Sequence, residues 1–205
     1  MPNQMTICVP LKCSSVTEVI SKAKEAKRKG ADLVEIWLDD LDEKDIKQFE
    51  KIPLPILCVD KTNPSSPPLI KAMESGVDYV DIDIASSIQL PDLNLTQLII
   101  SYHNFEETPD ITTLKDIISN AKAKGADIIK IATQANKDED NDTIFKALDL
   151  IQKEDLKGIA LCMGPLGVRS RTENPNSLWT YIALDEDSRT ADGQLTTSHI
   201  DEIVL

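Results

Sequence analysis

The sequence of 205 residues lacks several features that mark large classes of proteins. Its four cysteines form no CxxC pair, and three of them lie in apolar, strand-like runs, so we expect reduced thiols rather than disulfides or a zinc site. No apolar run approaches the length of a membrane span. The N-terminal MPNQMTICVPL lacks the basic start and the long apolar segment of a signal peptide. These absences predict a cytoplasmic protein that does not enter a membrane.

Positive charge and histidine are also scarce. The chain has 22 Lys and Arg against 35 Asp and Glu, a formal net charge of −13, and only two histidines. A surface this acidic argues against nucleic acid and against an anionic membrane as partners. Hydrophobic residues make up 41% of the chain, which is enough for a packed core. The length favours a single domain, residues 1–205.

Strand-like and helix-like stretches alternate along the whole chain. Eight short runs rich in Ile and Val predict strands at 6–11, 33–39, 55–60, 79–84, 97–103, 127–134, 158–164 and 179–185. Helical spacing predicts helices at 15–30, 42–52, 69–76, 108–125, 141–155 and 196–205. Eight such units predict an α/β fold, a compact (β/α)₈ TIM barrel. A doubly wound open sheet is the alternative, but no GxGxxG follows the first strand.

In such a barrel the functional residues lie at the carboxyl ends of the strands. Polar residues placed there, or pointing inward along a strand, are therefore the candidates for a site. They are Glu35, Asp39, Asp60, Lys61, Asp81, Asp83, His103, Lys130, Arg169, Arg171, Thr190 and Gln194.

Lys130 interrupts an apolar strand, DIIKIATQ. Because strand side chains alternate, Lys130 points the same way as Ile128 and Ala132. If that side is the barrel interior, loss of hydration should lower the pKa of the lysine and leave a neutral amine, which can attack a ketone and form an imine. The alternative is a structural lysine that reaches solvent or pairs with a carboxylate.

His103 stands at the end of the preceding strand, where an imidazole can move protons near neutral pH. A hydrogen-bonded structural histidine is the alternative, and His199, in the last predicted helix, we expect to be a surface or packing residue. Consecutive parallel strands are usually neighbours, about 4.8 Å apart, so Lys130 and His103 could contact one small molecule. Arg171, after the seventh strand, could bind its carboxylate. A lysine that forms an imine, a base and a carboxylate-binding arginine suit a reaction at the carbon next to the ketone of a small carboxylic acid.

Several motifs, in order, resemble those of the type I 3-dehydroquinate dehydratases, which are (β/α)₈ enzymes of the shikimate pathway that work through a Schiff base. The matching pieces are ICVPL, ADLVEIWLD, YVDIDI, IISYHNF, GADIIKIA, GVRSR and TADGQL. They cover nearly the whole chain, and the pair SYHNF and ADIIKIA is the most specific.

The resemblance implies a role for seven residues. Lys130 would form the imine with the ketone of 3-dehydroquinate, and His103 would move the protons. Arg171 would hold the carboxylate, Glu35 the ring hydroxyls, and Thr190 and Gln194 would belong to a lid over the ring. Lys61 would replace an arginine expected after the third strand. The imine would make a metal or added cofactor unnecessary, and the family suggests a homodimer.

This sequence departs from the family pattern at four places. Trp37 occupies the position of a substrate-binding arginine, and Lys61 keeps a charge but loses the bidentate geometry of arginine. A glutamate that pairs with the histidine is expected near Ser65, and Asp192 stands where proline is usual. These departures keep two other functions open: a class I aldolase-like lyase acting on another keto substrate, and a non-catalytic metabolite-binding barrel.

Overall fold

The structure, a computed structural model, describes residues 5–61, 67–87 and 95–200. Its strands are β1 (Ile7–Leu11), β2 (Leu33–Trp37), β3 (Ile56–Val59), β4 (Tyr79–Asp83), β5 (Gln97–Asn104), β6 (Ile128–Gln134), β7 (Lys157–Met163) and β8 (Thr180–Tyr181). Its α-helices are α1 (Val16–Arg28), α2 (Pro67–Glu74), α3 (Ile111–Ala123), α4 (Glu139–Lys153) and α5 (Val168–Thr172). No helix in these ranges is long and apolar enough to cross a membrane.

All eight strands run parallel, in the order β7-β6-β5-β4-β3-β2-β1-β8. The two ends of this sheet meet through a backbone hydrogen bond of 2.8 Å from the N–H of Leu178, before β8, to the carbonyl of Gly158 in β7. The sheet is therefore a nearly closed barrel wound with helices, and the predicted (β/α)₈ fold is confirmed. The domain bounds 1–205 stay a prediction.

The strands form because both of their faces are buried. Inward-facing side chains, among them Leu57, Ile99 and Ile128, pack together inside the barrel, while outward-facing ones meet the helices. Burying apolar surface on both sides stabilises a parallel strand by about 25 cal/mol per Å². The barrel interior is thus filled by apolar side chains below the site, and the polar side chains of the site lie above this filling.

Capping residues set where the helices begin. The side chain of Ser15 accepts a hydrogen bond from the N–H of Glu18, and that of Asp110 accepts one from the N–H of Thr113. Each satisfies one of the backbone donors that the first turn of a helix leaves free.

The structure refines two predicted helices and shortens one predicted strand. The short helix predicted at 42–52 is a 3-10 helix, Glu43–Lys51. In the helix predicted at 196–205, Thr197–His199 form a 3-10 turn, Ile200 is α-helical, and residues 201–205 lie outside the described part. The eighth strand is shorter than 179–185, because Ala183 donates to the carbonyl of Leu195 and the chain turns away from β1.

Candidate active site

One cavity of about 450 Å³ lies in the carboxyl-terminal half of the barrel. All seven residues with a predicted role line it, namely Glu35, Lys61, His103, Lys130, Arg171, Thr190 and Gln194. Of the other candidates, Asp60, Asp81 and Asp83 also line it, whereas Asp39 and Arg169 do not. The predicted site residues, which are far apart in sequence, are therefore brought together at one place.

Lys130 lies at the floor of this cavity and is only 5% exposed. Its neighbour on β5 is Ser101, whose small side chain leaves room for the lysine to cross toward β4. Nζ donates to Asp81 Oδ2 over 2.8 Å and to Glu35 Oε2 over 3.1 Å, and it lies 4.5 Å from the ring centre of Tyr181. The amine is thus inside the barrel, held by two buried carboxylates.

The prediction that burial lowers the pKa of Lys130 is wrong for this resting site. Burial is the largest single influence and acts in that direction, but the combined attraction of the neighbouring groups, led by Asp81 and Glu35, outweighs it and raises the pKa well above its ordinary value. In turn, although burial raises the pKa of both carboxyl groups, the charges of Lys130 and Lys61 lower them overall. The resting lysine is an ammonium ion between two carboxylates.

Trp37 takes part in the site in place of the expected arginine. Its indole N–H donates to Glu35 Oε1 over 2.9 Å, so Glu35 bridges the tryptophan and Lys130. The ammonium groups of Lys12 and Lys61 lie 5.2 and 5.8 Å from the indole ring, within the range of cation–π attraction. A neutral donor flanked by two lysines therefore occupies the position of the guanidinium.

His103 lies near the end of β5 with a side chain 16% exposed, and its ring stacks on that of Phe105, with 6.1 Å between ring centres. Burial lowers the pKa of His103, and the charges of Lys130 and Lys61 lower it further. The carboxylate of Asp83, whose Oδ2 is 3.8 Å from Nδ1, acts in the opposite direction. The resting imidazole is therefore neutral near pH 7 and able to accept a proton.

Arg171, in α5, presents its guanidinium to the cavity. The residue is 2% exposed, and Nε and Nη2 have no hydrogen-bond partner among the described residues. Burial lowers the pKa of Arg171 to about 10, so the group stays charged at neutral pH. Arg169 instead pairs with Asp142 over 2.6 Å outside the cavity. A buried cation with free donors fits a carboxylate ligand.

The loop 190–194 closes the cavity. Gln194 is 2% exposed, and its Oε1 accepts hydrogen bonds from the backbone N–H and the hydroxyl of Thr190. The carbonyl of Asp192 accepts from the N–H of Gly164 over 3.0 Å. A Cβ on Gly193, whose φ is +72°, would lie 2.3 Å from the carbonyl oxygen of Gly164. The predicted lid therefore docks on the end of β7 through two glycines.

His199 and the four cysteines lie outside the cavity. His199 lies on the last 3-10 turn, where its Nδ1 is 3.0 Å from the hydroxyl of Thr196. All four cysteines are free and buried. Within residues 5–61, 67–87 and 95–200, no three His, Cys, Asp or Glu side chains are grouped to hold a metal ion. The position near Ser65, where a glutamate was expected, lies outside the described residues.

Sequence reasoning missed three contributions to the site. Asp81 and Asp83 were recognised as inward-facing, but not as partners of Lys130 and His103, and Tyr181 was not singled out. The alternating carboxylates of YVDIDI are a usable signal, because period-two polar residues on a buried strand must face the barrel interior. No comparable signal marks Tyr181.

The chain is similar to known proteins over nearly its whole length. The family model for type I 3-dehydroquinase matches residues 7–204. The chain is 32% identical to a 3-dehydroquinate dehydratase of Methanococcus maripaludis, over 97% of this chain and 98% of that protein. It is 30% identical to the chloroplastic bifunctional 3-dehydroquinate dehydratase/shikimate dehydrogenase of Arabidopsis thaliana over 95% of its own length, but spans only 36% of that protein.

Two solved structures are similar over the whole barrel. The 3-dehydroquinate dehydratase of Aquifex aeolicus superposes with a TM-score of 0.77 at 29% identity, covering 97% of each chain. That of Geobacillus kaustophilus gives a TM-score of 0.86 at 22% identity, covering 98% of this chain and 90% of that one. At such an identity the second likeness supports the fold alone. With the match to the family model and to close relatives of the same length, the chain belongs to the type I 3-dehydroquinase family.

Proposed function

We propose that this protein is a hydro-lyase that converts 3-dehydroquinate to 3-dehydroshikimate and water, through an imine on Lys130, in the shikimate pathway. The observation that carries the proposal is the single cavity shared by Lys130, His103 and Arg171, in a chain of this family. An amine, a base and a carboxylate clamp can together remove water next to a ketone through an imine.

The first step is attack of the lysine on the substrate ketone. The ammonium must lose one proton before its lone pair can attack, and Asp81, which already accepts a hydrogen bond from Nζ, is placed to take it. Loss of water from the resulting carbinolamine gives the imine. The imine carries a positive charge when protonated, so Glu35 and Asp81 stabilise it as they stabilise the resting ammonium.

His103 then moves the protons of the elimination. The neutral imidazole accepts a proton from the carbon next to the imine, and the electron pair of that C–H bond moves into the positive imine. The electrons return as the C–O bond of the neighbouring hydroxyl breaks, and the leaving oxygen takes the proton from His103 and departs as water. Hydrolysis of the imine releases the product and restores Lys130.

The remaining cavity residues hold the substrate. Arg171 binds its carboxylate, Glu35 and Lys61 face the ring hydroxyls, and Thr190 and Gln194 cover the ring from the lid. The protonated imine is itself the electron sink, so the proposed reaction uses neither a metal ion nor an added cofactor. The small-molecule substrate is the partner that this site requires.

The assembly and the location of the protein are proposed on separate grounds. Family resemblance supports a homodimer, which light scattering of the purified protein would detect. The four buried free thiols support a reducing, cytoplasmic location.

Trapping with borohydride tests the proposal directly. Borohydride added with 3-dehydroquinate should reduce the imine and leave a covalent adduct, which peptide mass spectrometry should locate on Lys130. The exposed Lys122, which is paired with Glu154, offers a control: Lys122→Met should trap as the wild type does. A wild-type protein that forms no adduct and shows no appearance of the conjugated enone product would disprove the function.

The carboxylate clamp predicts unequal roles for the two arginines of VRSR. Arg171→Gln should lower kcat/KM roughly 10²-fold, mostly through KM, because a charge-assisted contact to a buried carboxylate contributes about 1.5–3 kcal/mol. The control Arg169→Gln, outside the cavity, should leave kcat/KM unchanged in the same steady-state assay. Equal losses in both variants would contradict the assignment.

Two alternatives lose their main support. An aldolase-like lyase was kept open by Trp37, but the indole N–H supplies the hydrogen bond to Glu35 and two lysines supply positive charge nearby. A non-catalytic barrel was kept open by missing residues, but the lysine, histidine, arginine and glutamine of the site share one cavity. Membership in a dehydratase family favours dehydration over both.

A further inference from the structure

We propose that Asp83 is a positioning residue for His103: it orients the imidazole and stabilises its protonated form. In the family pattern this task belongs to a glutamate expected near Ser65, where this chain has no carboxylate. The inference rests on the proposed function, because it concerns the base of that reaction. Nothing in the motifs or in the comparisons assigns Asp83 a role.

The barrel places two carboxylate–base pairs one above the other. On β4, Asp81 and Asp83 face inward two residues apart, and on β5 the inward positions are Ser101 and His103. The lower carboxylate, Asp81, holds Lys130, and the upper one, Asp83, faces His103. The same two-residue period thus builds a partner for each of the two reactive side chains.

The orientation of Asp83 is fixed by its own hydrogen bond. Its Oδ1 accepts from the N–H of Ala85 over 2.8 Å, which anchors the carboxylate at the end of β4. The other oxygen, Oδ2, lies 3.8 Å from Nδ1 of His103. This distance is longer than a hydrogen bond but within reach of an ion pair, so a small rotation of the ring brings Nδ1–H onto the carboxylate. Nε2 is then the ring nitrogen left to take the proton of the substrate.

The electrostatic surroundings make such a partner necessary. Among the described residues, the charged groups that act most on the pKa of His103 are Asp83 and Asp81 from β4, Lys130 from β6 and Lys61 after β3. Both lysines oppose a second positive charge, and Asp81 is engaged with Lys130. The segment after β3, TNPSS at 62–66, contains no carboxylate. When His103 accepts a proton during catalysis, Asp83 is therefore the carboxylate that stabilises the imidazolium.

The deciding variant is Asp83→Asn, which keeps an oxygen for the Ala85 N–H and removes only the charge. Because the chain has just two histidines, His199→Gln identifies the resonances of His103 in an NMR titration of the imidazoles. We expect the pKa of His103 to fall in Asp83→Asn, and the acidic limb of kcat/KM against pH to move to lower pH. We expect kcat to fall about 10- to 100-fold with KM little changed, because the base is weaker and less well oriented.

Two further variants complete the experiment. Asp83→Glu restores the charge and should recover most of kcat and of the His103 pKa, which a merely structural role of Asp83 would not predict. Asp149→Asn removes an equal charge from the exposed face of α4 and should change neither quantity. An unchanged His103 pKa in Asp83→Asn, or a kcat within twofold of the wild type, would overturn the inference. The titration needs no substrate, so it decides about Asp83 even if the wild type does not dehydrate 3-dehydroquinate.

Discussion

Lys130→Met is expected to abolish turnover of 3-dehydroquinate. We expect kcat to fall on the order of 10⁵-fold, as when other enzymes lose their covalent nucleophile, because no other described lysine shares the buried floor of the cavity. Borohydride should trap no adduct in this variant. The measurement is a stopped assay at high enzyme concentration, which can resolve a residual rate.

The same substitution should also change stability and its dependence on pH. It leaves Glu35 and Asp81 buried without their cation, which costs about 3–5 kcal/mol of unfolding free energy near neutral pH. In the wild type the pKa of both carboxyl groups is lowered, so their contribution to stability is present above the ordinary carboxyl pKa and is lost as the pH falls through the lowered values.

In Lys130→Met the pH dependence of the stability that these carboxyl groups contribute should change sign. Burial is no longer offset by the lysine, so at least one of the two carboxyl pKa values rises above its ordinary value. That group then favours the folded state at low pH and loses this contribution as the pH rises through its raised value. Urea unfolding should therefore show a smaller deficit relative to the wild type at about pH 5 than at about pH 8.

A surface lysine provides the control for this prediction. Lys122→Met breaks an ion pair of 2.7 Å with Glu154, but both side chains are about half exposed. Its kcat should equal that of the wild type, and its stability should change little at either pH. A Lys130→Met protein as stable as Lys122→Met at every pH would show that the buried ion pairs are not formed in solution.

His103→Ala should show the second large loss. We expect kcat to fall roughly 10²- to 10⁴-fold, the usual contribution of a positioned general acid and base, with KM little changed. The imine should still form, so borohydride should still trap an adduct on Lys130. The acidic limb of the pH profile, which reports the pKa of His103, should disappear in steady-state assays of kcat/KM.

The second histidine of the chain is the matched control. His199 is held by Thr196 outside the cavity, so His199→Ala should keep the kcat and the pH profile of the wild type. If His199→Ala lost activity as severely as His103→Ala, or if His103→Ala failed to trap substrate at all, His103 would not be the proton carrier that we propose.

The strands could be predicted closely because they depend on local sequence. Runs such as IIKIATQ in β6 are buried on both faces, and this pattern is visible without knowing what lies opposite. The helices depend partly on packing, which decides their type: the short helix predicted at 42–52 is a 3-10 helix, and the described start of the helix predicted at 196–205 is a 3-10 turn followed by the α-helical Ile200. The end of β8 depends on a contact between Ala183 and the segment after the lid, which no local pattern reveals.

Strand periodicity and the order of the motifs are properties of the chain, so the fold class, the family resemblance and seven of the residues that line the cavity could be predicted without a structure. The charge of Lys130 and the partner of His103 depend on contacts between strands, which appear only in the folded barrel. Glu35 and Asp81 are 95 and 49 residues from Lys130, and their pKa effects depend on distances that exist only after β2, β4 and β6 have closed into a barrel. The error in the sequence-based prediction was thus electrostatic. Burial alone predicted a neutral amine on Lys130, whereas two carboxylates from other strands keep it protonated.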